Sequence, residues 1–484
     1  MKMKNLKIVL VSPPLTAEEQ AGSLKEVANI LPPLGIGYIA AVLEKNDFPV
    51  KIIDCRPLDI TVEQLIEELK NEKPHIIGIT ATVLEANRAI EISKILKKEL
   101  PNTLLVIGGP HFTSMPVETL KDSAFDIGVY AEGEITFLEL ANTIEEAKNK
   151  KIKSLNLAEI KGLYYKNKER RIFFTGMREY IQDLDSLPFP ARHLYPPLNK
   201  YHPVPASYIK FPLGHLMSSR GCPNQCIFCD RKVFGNKYRA RDSKKVVDEI
   251  EELIKVYGAK EIKFFDDTFT LNPNRVIEIC NEMEKRNIKV PWSCLTRANT
   301  VSEELFRKMK KAGCWQVAFG LESGDQRMLN IMKKGITVEQ NELAVKWAKK
   351  AGLNVRAFFV IGMPGETMES IERTIKFAKR LPLDVVTFYS LTLYPGNELY
   401  EIVKKEGKII HCDFSQYTPI IDVEKTKLAY VPEGLTEEQI RKAVSRAHKE
   451  FYLRPSYLAR QVISIRSLSD IKRYWQGFKV VIGM

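Results

Sequence analysis

The sequence predicts an α/β protein with two parallel-sheet units, the first an open sheet and the second a partial barrel, followed by a small C-terminal cap. Three observations predict it. Residues 1–150 alternate short apolar runs with longer segments of helical period, the pattern of a parallel sheet covered by helices. From about residue 211 the alternation resumes and repeats six times. Between the two, prolines at 188, 190, 196, 197, 203 and 205 mark an extended linker. At 484 residues the chain exceeds one ordinary core, so more than one domain is required.

In the first unit the candidate strands are Lys7–Val11, Val50–Asp54, Ile76–Thr80, Leu104–Gly108 and Ile127–Tyr130. Leu, Ile and Ala at three- and four-residue intervals predict helices over Gly35–Asn46, Val62–Lys70, Glu85–Leu100 and Ile135–Glu145. This is a Rossmann-like, flavodoxin-like count. Ligands of such sheets sit beyond the carboxyl ends of the strands, which singles out the loops at Ser12–Pro14, Asp54–Pro57, Thr80–Thr82, Gly108–His111 and Tyr130–Glu134. Paired glycines at Gly108 and Gly109 let a large planar ligand approach the backbone. Residues 151–210 read as a short hairpin, Gly162–Tyr165 and Arg171–Phe174, and the Pro-rich linker.

The second unit spans residues 211–429, with candidate strands Leu216–Ser219, Glu261–Asp266, Pro291–Leu295, Trp315–Gly320, Val355–Ile361 and Val385–Ser390. Six such units resemble a partial (β/α)6, TIM-type barrel, and in barrels of this kind the chemistry collects at the carboxyl ends of the strands. After the first strand lies Arg-Gly-Cys-Pro-Asn-Gln-Cys-Ile-Phe-Cys-Asp, residues 220–230. Thiolates suit iron-sulfur clusters or zinc, and clusters ordinarily take four. Cys222, Cys226 and Cys229 supply three, which would leave one iron of a 4Fe-4S cluster open to a reacting group. The alternative is a zinc knuckle completed by His215.

Composition excludes several classes. No run of about 18 apolar residues occurs, and the N-terminus passes directly from a Lys-rich start into a strand, which predicts a cytoplasmic protein. Eight cysteines in this length are no disulfide framework, and Cys55, Cys280, Cys294, Cys314 and Cys412 read as buried thiols. The net charge of +13 is uneven: residues 1–150 carry 16 Lys+Arg against 22 Asp+Glu. Basic and acidic residues mix along helical faces, so nucleic acid is not expected as a partner. Residues 430–484 form the cap, with Thr436 as a helix N-cap and a basic amphipathic segment containing Arg454, Arg460, Arg466, Lys472, Arg473, Trp475 and Lys479. That segment either closes the open side of the barrel or meets an anionic membrane or lipid-like substrate.

The Cys-x3-Cys-x2-Cys spacing, with Phe228 before the last cysteine, resembles the signature of the radical S-adenosylmethionine (SAM) superfamily. The first unit is similar to the cobalamin-binding domain ahead of many radical SAM domains, through Pro32-Pro33-Leu34-Gly35, Thr80 and Thr82, Gly108-Gly109-Pro110-His111 and Glu132-Gly133-Glu134. It lacks the Asp-x-His-x-x-Gly loop, so the resemblance implies cobalamin held base-off without a histidine on cobalt. It further implies SAM contacts at Phe228, Asp266, Arg297, Glu322, Ser323, Gly362 and Gly365, and cobalamin contacts at Thr80, Thr82, Gly108, Gly109, His111, Gly133 and Glu134. The cofactors implied are a 4Fe-4S cluster, SAM and cobalamin; the partners are a small-molecule or lipid-like substrate and a low-potential donor such as ferredoxin or flavodoxin. In that branch one SAM methylates cobalamin and another yields a 5′-deoxyadenosyl radical, which implies C-methylation of an unactivated carbon. Radical cyclisation, rearrangement or oxidative ring closure uses the same architecture. A vestigial first domain and a non-enzymatic cobalamin or iron-sulfur sensor are the remaining readings.

Overall fold

A computed structural model describes residues 4–22, 28–147, 156–167, 169–411, 413–414, 417 and 427–464, with helix Pro455–Ser464 described without its side chains beyond Ala459. Cys412, Arg466, Lys472, Arg473, Trp475 and Lys479 lie outside the described residues, as does the side chain of Arg460.

The first sheet contains β1 (Ile8–Ser12), β2 (Val50–Asp54), β3 (Ile76–Thr80), β4 (Leu104–Gly108) and β5 (Ile127–Val129), all parallel in the order β2-β1-β3-β4-β5. That is the flavodoxin-like order. Alternate side chains serve opposite faces: Ile8 and Leu10 pack with Ile36, Leu43 and Phe137 on one, while Val9 and Val11 pack with Leu65, Leu69 and Ile92 on the other. The hairpin β6 (Leu163–Lys166) and β7 (Ile172–Phe174), grouped by sequence with the linker, instead pairs antiparallel with β5 and extends this sheet to seven strands. It covers an edge that β5 would otherwise leave unpaired.

The second sheet opens with β8 (Leu213–Leu216), three residues earlier than the sequence pattern places it. A short antiparallel pair, β9 (Ser219–Arg220) and β10 (Arg239–Ala240), brackets the cysteine loop. Then follow β11 (Glu261–Phe264), β12 (Trp292–Thr296), β13 (Cys314–Glu322), β14 (Asn354–Ile361) and β15 (Val385–Ser390), a six-stranded parallel sheet in the order β15-β14-β13-β12-β11-β8. Its outer face is sealed by helices: Val355, Ala357, Phe359 and Ile361 of β14 are fully buried in one core with Ile371 and Ile375. The intervening residues of β14 are only partly buried and face the interior.

An open sheet has two edges to blunt. At β15 the edge is met by helix Glu437–Tyr452, which starts at a Thr436 capping box. The His448 Nε2 accepts from Phe388 N (3.1 Å), the Tyr452 hydroxyl accepts from Val386 N (2.9 Å) and donates to Val386 O (2.6 Å), and Tyr457 donates to Asp384 O (3.0 Å). Among the described residues, His448, Tyr452 and Tyr457 therefore cover this edge. At the other edge Arg192 from the linker donates to His215 O (3.0 Å).

Candidate functional site

The carboxyl ends of both sets of strands meet across one seam, and the cysteine loop lies in it. Gly221 turns the chain at a positive φ where any side chain would strike Lys237 O, so the turn into Cys222 requires glycine. Ile227 N donates to Met332 O (3.1 Å), Leu399 N donates to Ile227 O (2.9 Å) and Asn397 Nδ2 donates to Phe228 O (2.8 Å). The loop is thus pinned to segments following β13 and β15.

Cys226 is buried, Cys222 partly buried and Cys229 exposed at the surface of the loop. Asn224 Nδ2 donates to Cys222 Sγ (3.1 Å) and Arg297 Nη1 to Cys226 Sγ (3.5 Å). The surrounding protein pushes the Cys229 thiol up to about 12, with Asp267, Cys226 and Cys222 adding negative charge nearby. Among the described residues no three His, Cys, Asp or Glu side chains converge as they would on a single ion. A cubane offers a separate iron to each thiolate and does not require that convergence. His215, the fourth ligand a zinc knuckle would need, is buried, with Nε2 bonded to Pro32 O (2.9 Å) and its pKa lowered to about 3 by burial. The donor set fits a three-cysteine cluster.

The SAM candidates divide. Arg297 is buried beside Cys226, and Glu322 is buried in an ion pair with Lys334 (2.7 Å), whose ammonium lies 5.9 Å from the Phe228 ring. Glu322 follows a β-bulge and has a positive φ, and a side chain at Gly320 would strike its carboxylate. Gly362 and Gly365 take left-handed conformations in the turn after β14, where Gly362 N (2.5 Å) and Met363 N (3.0 Å) donate to Glu366. Burial raises the Glu366 carboxyl to about 7. Two candidates turn away. Asp266 is spent on Ser218 N (2.7 Å), Ser218 Oγ (2.6 Å) and Ser219 Oγ (2.5 Å), holding the start of the cysteine loop, while neighbouring Asp267 is the carboxylate that acts on Cys229. Ser323 is fully buried against Thr374 (3.0 Å) and Asp325 N (3.1 Å).

On the other side of the seam, Thr80, Gly108, Gly109 and His111 come together. Gly109 has φ +93, and a Cβ there would lie 2.6 Å from Thr80 Oγ1 and 3.0 Å from Ala81 N, so only glycine allows the two loops this close. His111 is buried with Nδ1 unpartnered, stands edge-on to Phe414 (5.0 Å), and is lowered to about 4 by burial. Thr82 is exposed at the rim. This glycine cradle and unsatisfied buried nitrogen fit a large polar-edged planar ligand. Gly133 and Glu134 do not join them: Gly133 packs tightly on Ile39, and Glu134 is buried against Arg220 Nη2 (2.6 Å).

That last contact is the seam itself, which sequence reasoning missed. Arg220 Nη1 also binds Glu132 (2.9 Å), and its guanidinium lies 4.9 Å from the Tyr38 ring. Arg239 binds both oxygens of Glu132 (2.9 Å each), and Ser114 donates to Asp230. The only signal was the adjacency of Arg220 to the cysteines and the Glu-Gly-Glu run.

The arrangement defines an enzyme that sets an iron-sulfur centre against a second, planar cofactor. A model of the radical SAM superfamily matches residues 216–378, and one of the B12-binding domain matches residues 22–141. An uncharacterized methyltransferase, PH0819, of Pyrococcus horikoshii is 37% identical over 462 residues, 95% of each chain. The anaerobic magnesium-protoporphyrin IX monomethyl ester cyclase of Rubrivivax gelatinosus is 28% identical over 443 residues, 90% of this chain and 76% of the cyclase. The cytidylyl-2-hydroxyethylphosphonate methyltransferase of Streptomyces wedmorensis is 30% identical over 380 residues, 69% of each. The radical SAM methyltransferase TsrM of Kitasatospora setae, solved with cobalamin and a 4Fe-4S cluster, shares the fold at a TM-score of 0.70 and 18% identity, covering 91% of this chain and 90% of that one. The cobalamin-dependent radical SAM enzyme OxsB shares it at a TM-score of 0.66 and 18% identity over 93% of this chain, which spans 61% of that longer one. The chain belongs to the cobalamin-dependent branch of the radical SAM superfamily, and its cofactors are a 4Fe-4S cluster, SAM and cobalamin. Among the described residues no helix is long and apolar enough to cross a membrane.

Proposed function

We propose that the enzyme methylates an unactivated carbon of a small molecule. The observation that carries this is the seam: Arg220, at the start of the cysteine loop, is bound by Glu132 and Glu134 from the loop after β5, so the two cofactor faces are held against each other. When bound, the cluster with SAM supplies a carbon-centred radical and cobalamin supplies the methyl group. Cys222, Cys226 and Cys229 ligate the cluster, and Arg297 is placed to pair with the carboxylate of SAM. Glu322, paired with Lys334, would accept from ribose hydroxyls, and the Gly362–Gly365 turn would approach the adenine. Thr80, Thr82, Gly108, Gly109 and His111 would hold cobalamin, and the loop after β1 contains no histidine. Methylation is favoured over ring closure because the uncharacterized methyltransferase of Pyrococcus horikoshii matches 95% of the chain at higher identity than the cyclase does.

The net charge of +13 supports an acidic, low-potential electron donor such as ferredoxin or flavodoxin, and the same charge supports peripheral contact with an anionic membrane on its cytoplasmic face. Binding to anionic liposomes that weakens with salt checks the latter; no binding at low salt removes it. The reaction is tested anaerobically with reconstituted protein, candidate extracts and SAM carrying a trideuteromethyl group. The expected product carries the intact label, with 5′-deoxyadenosine formed alongside. An oxidised or cyclised product without label overturns methylation.

A further inference from the structure

We propose that Lys263 and Arg356 form an oxyanion subsite inside the barrel, one that receives a carboxylate or phosphoryl group of the substrate. The inference rests on the radical SAM reading of the barrel and adds to it the chemical class of the substrate. Along β11, Ile262 and Phe264 are fully buried under the helices, so the intervening Lys263 faces the interior. Along β14, Val355 and Ala357 are fully buried, so Arg356 faces the interior as well. The inner wall around them is incompletely filled: Phe358 and Val360 of β14 and Thr387 and Tyr389 of β15 are all only partly buried.

Among the described residues no carboxylate forms a salt bridge with Lys263 or Arg356, and Arg356 Nε is buried without a hydrogen bond. Each lies over an aromatic ring, Lys263 5.5 Å from Phe265 and Arg356 5.0 Å from Phe358. The carboxylate two residues before Lys263, Glu261, is engaged by Ile209 N (2.8 Å), Lys210 N (2.7 Å) and Trp315 Nε1 (2.8 Å). The two cations feel each other: burial, with Arg356 acting in the same direction and Glu261 opposing, lowers the Lys263 ammonium to about 8. Three other interior cations are compensated by carboxylates, Arg192 by Glu249, Arg220 by Glu132 and Glu134, and Lys334 by Glu322. Two neighbouring unpaired cations in a protein interior are costly unless an anion joins them. A planar guanidinium fork beside a mobile ammonium suits a carboxylate or a phosphate.

The anion is not the carboxylate of SAM. Lys263 pairs with Ser293 of β12, four residues before Arg297, which places it about 13 Å deeper along the strand than the cation beside Cys226. Arg356 lies likewise six residues before Gly362. The substrate would therefore reach down the barrel with its charged end while its reacting carbon stays at the seam.

The test uses the full-length protein with its cluster reconstituted, inorganic phosphate and acetate as probes, and saturating SAM. Phosphate or acetate is expected to bind with SAM present, and Lys263→Met with Arg356→Met is expected to weaken that binding about tenfold or more while iron content and SAM affinity stay as in the parent. Should the double variant fail to fold, Lys263→Gln and Arg356→Gln singly give the same reading. Equal probe affinity in parent and variants, or displacement of the probe by SAM, overturns the proposal. Treating a substrate-bearing extract with phosphatase separates the two sources: lost methylation assigns a phosphoryl group, retained methylation a carboxylate. Failure to transfer the labelled methyl group, with probe binding intact, would strike the methylation reading and leave this subsite standing.

Discussion

At the seam between the two sheets Arg220 and Arg239 are buried against Glu132 and Glu134, whereas at the open edge of the barrel the backbone of β15 is met by the neutral side chains of His448, Tyr452 and Tyr457. Both joints satisfy groups that would otherwise be stranded, but they differ in what failure costs. A buried ion pair contributes little net stability when whole and costs heavily when one partner is removed, because the other charge remains inside. A neutral hydrogen bond is worth less and fails more gently. Charge therefore fixes the relative position of two cofactor faces, where a wrong docking must be excluded, and neutral bonds finish an edge that has only to be covered.

The largest effect is expected from Arg220→Met, which strands Glu134 and half of the partnership of Glu132. Chemical denaturation should show a loss of about 3–5 kcal/mol, and adding Glu134→Leu should recover part of it. A loss below about 1 kcal/mol would erase the contrast between the two joints. The next effect is a pH dependence at the barrel edge. His448 donates through Nδ1 to Val444 O (2.9 Å) and accepts through Nε2, which fixes the neutral ring, and burial lowers its pKa to about 4. The unfolded chain takes up this proton near its ordinary value of 6.5, so the contribution is complete above about pH 6.5 and is lost as pH falls toward 4. That amounts to about 3 kcal/mol, with His111 and His215 acting in the same sense. Denaturation midpoints at pH 7 and pH 5 should differ less in His448→Gln than in the parent protein. A smaller loss, about 2 kcal/mol, is expected for Tyr452→Phe, which leaves Val386 N without its acceptor. Thr436→Ala, removing the N-cap of the same helix, should cost about 1 kcal/mol and leave the cluster iron content unchanged.

Local pattern revealed what is local. β2, β3 and β4 stand where apolar runs bounded by polar or glycine residues predict them, and the three cysteines lie within eight residues of sequence. β8 was displaced because Gly214 and His215 interrupt its apolar run; a Cβ at Gly214 would lie 2.9 Å from Ala259, and His215 is satisfied by Pro32, far away in the chain. The same remoteness hid the true role of Glu134, whose partner Arg220 belongs to the other sheet. Asp266 and Asp267 are identical as letters, and only the fold turns one onto Ser218 and the other toward Cys229. Nothing in the local pattern distinguishes Lys334 from the lysines around it, yet it is buried on Glu322.

The seam also bears on how the enzyme is made. Chains leave the ribosome from the N-terminus, and domains generally fold as units in that order. The sheet carrying Glu132 and Glu134 is complete at Phe174, before the first residue of the cysteine motif has been added. Arg220 is therefore added to the chain after the whole of the sheet that receives it, and the loop that holds the cysteines is the later-made half of the joint.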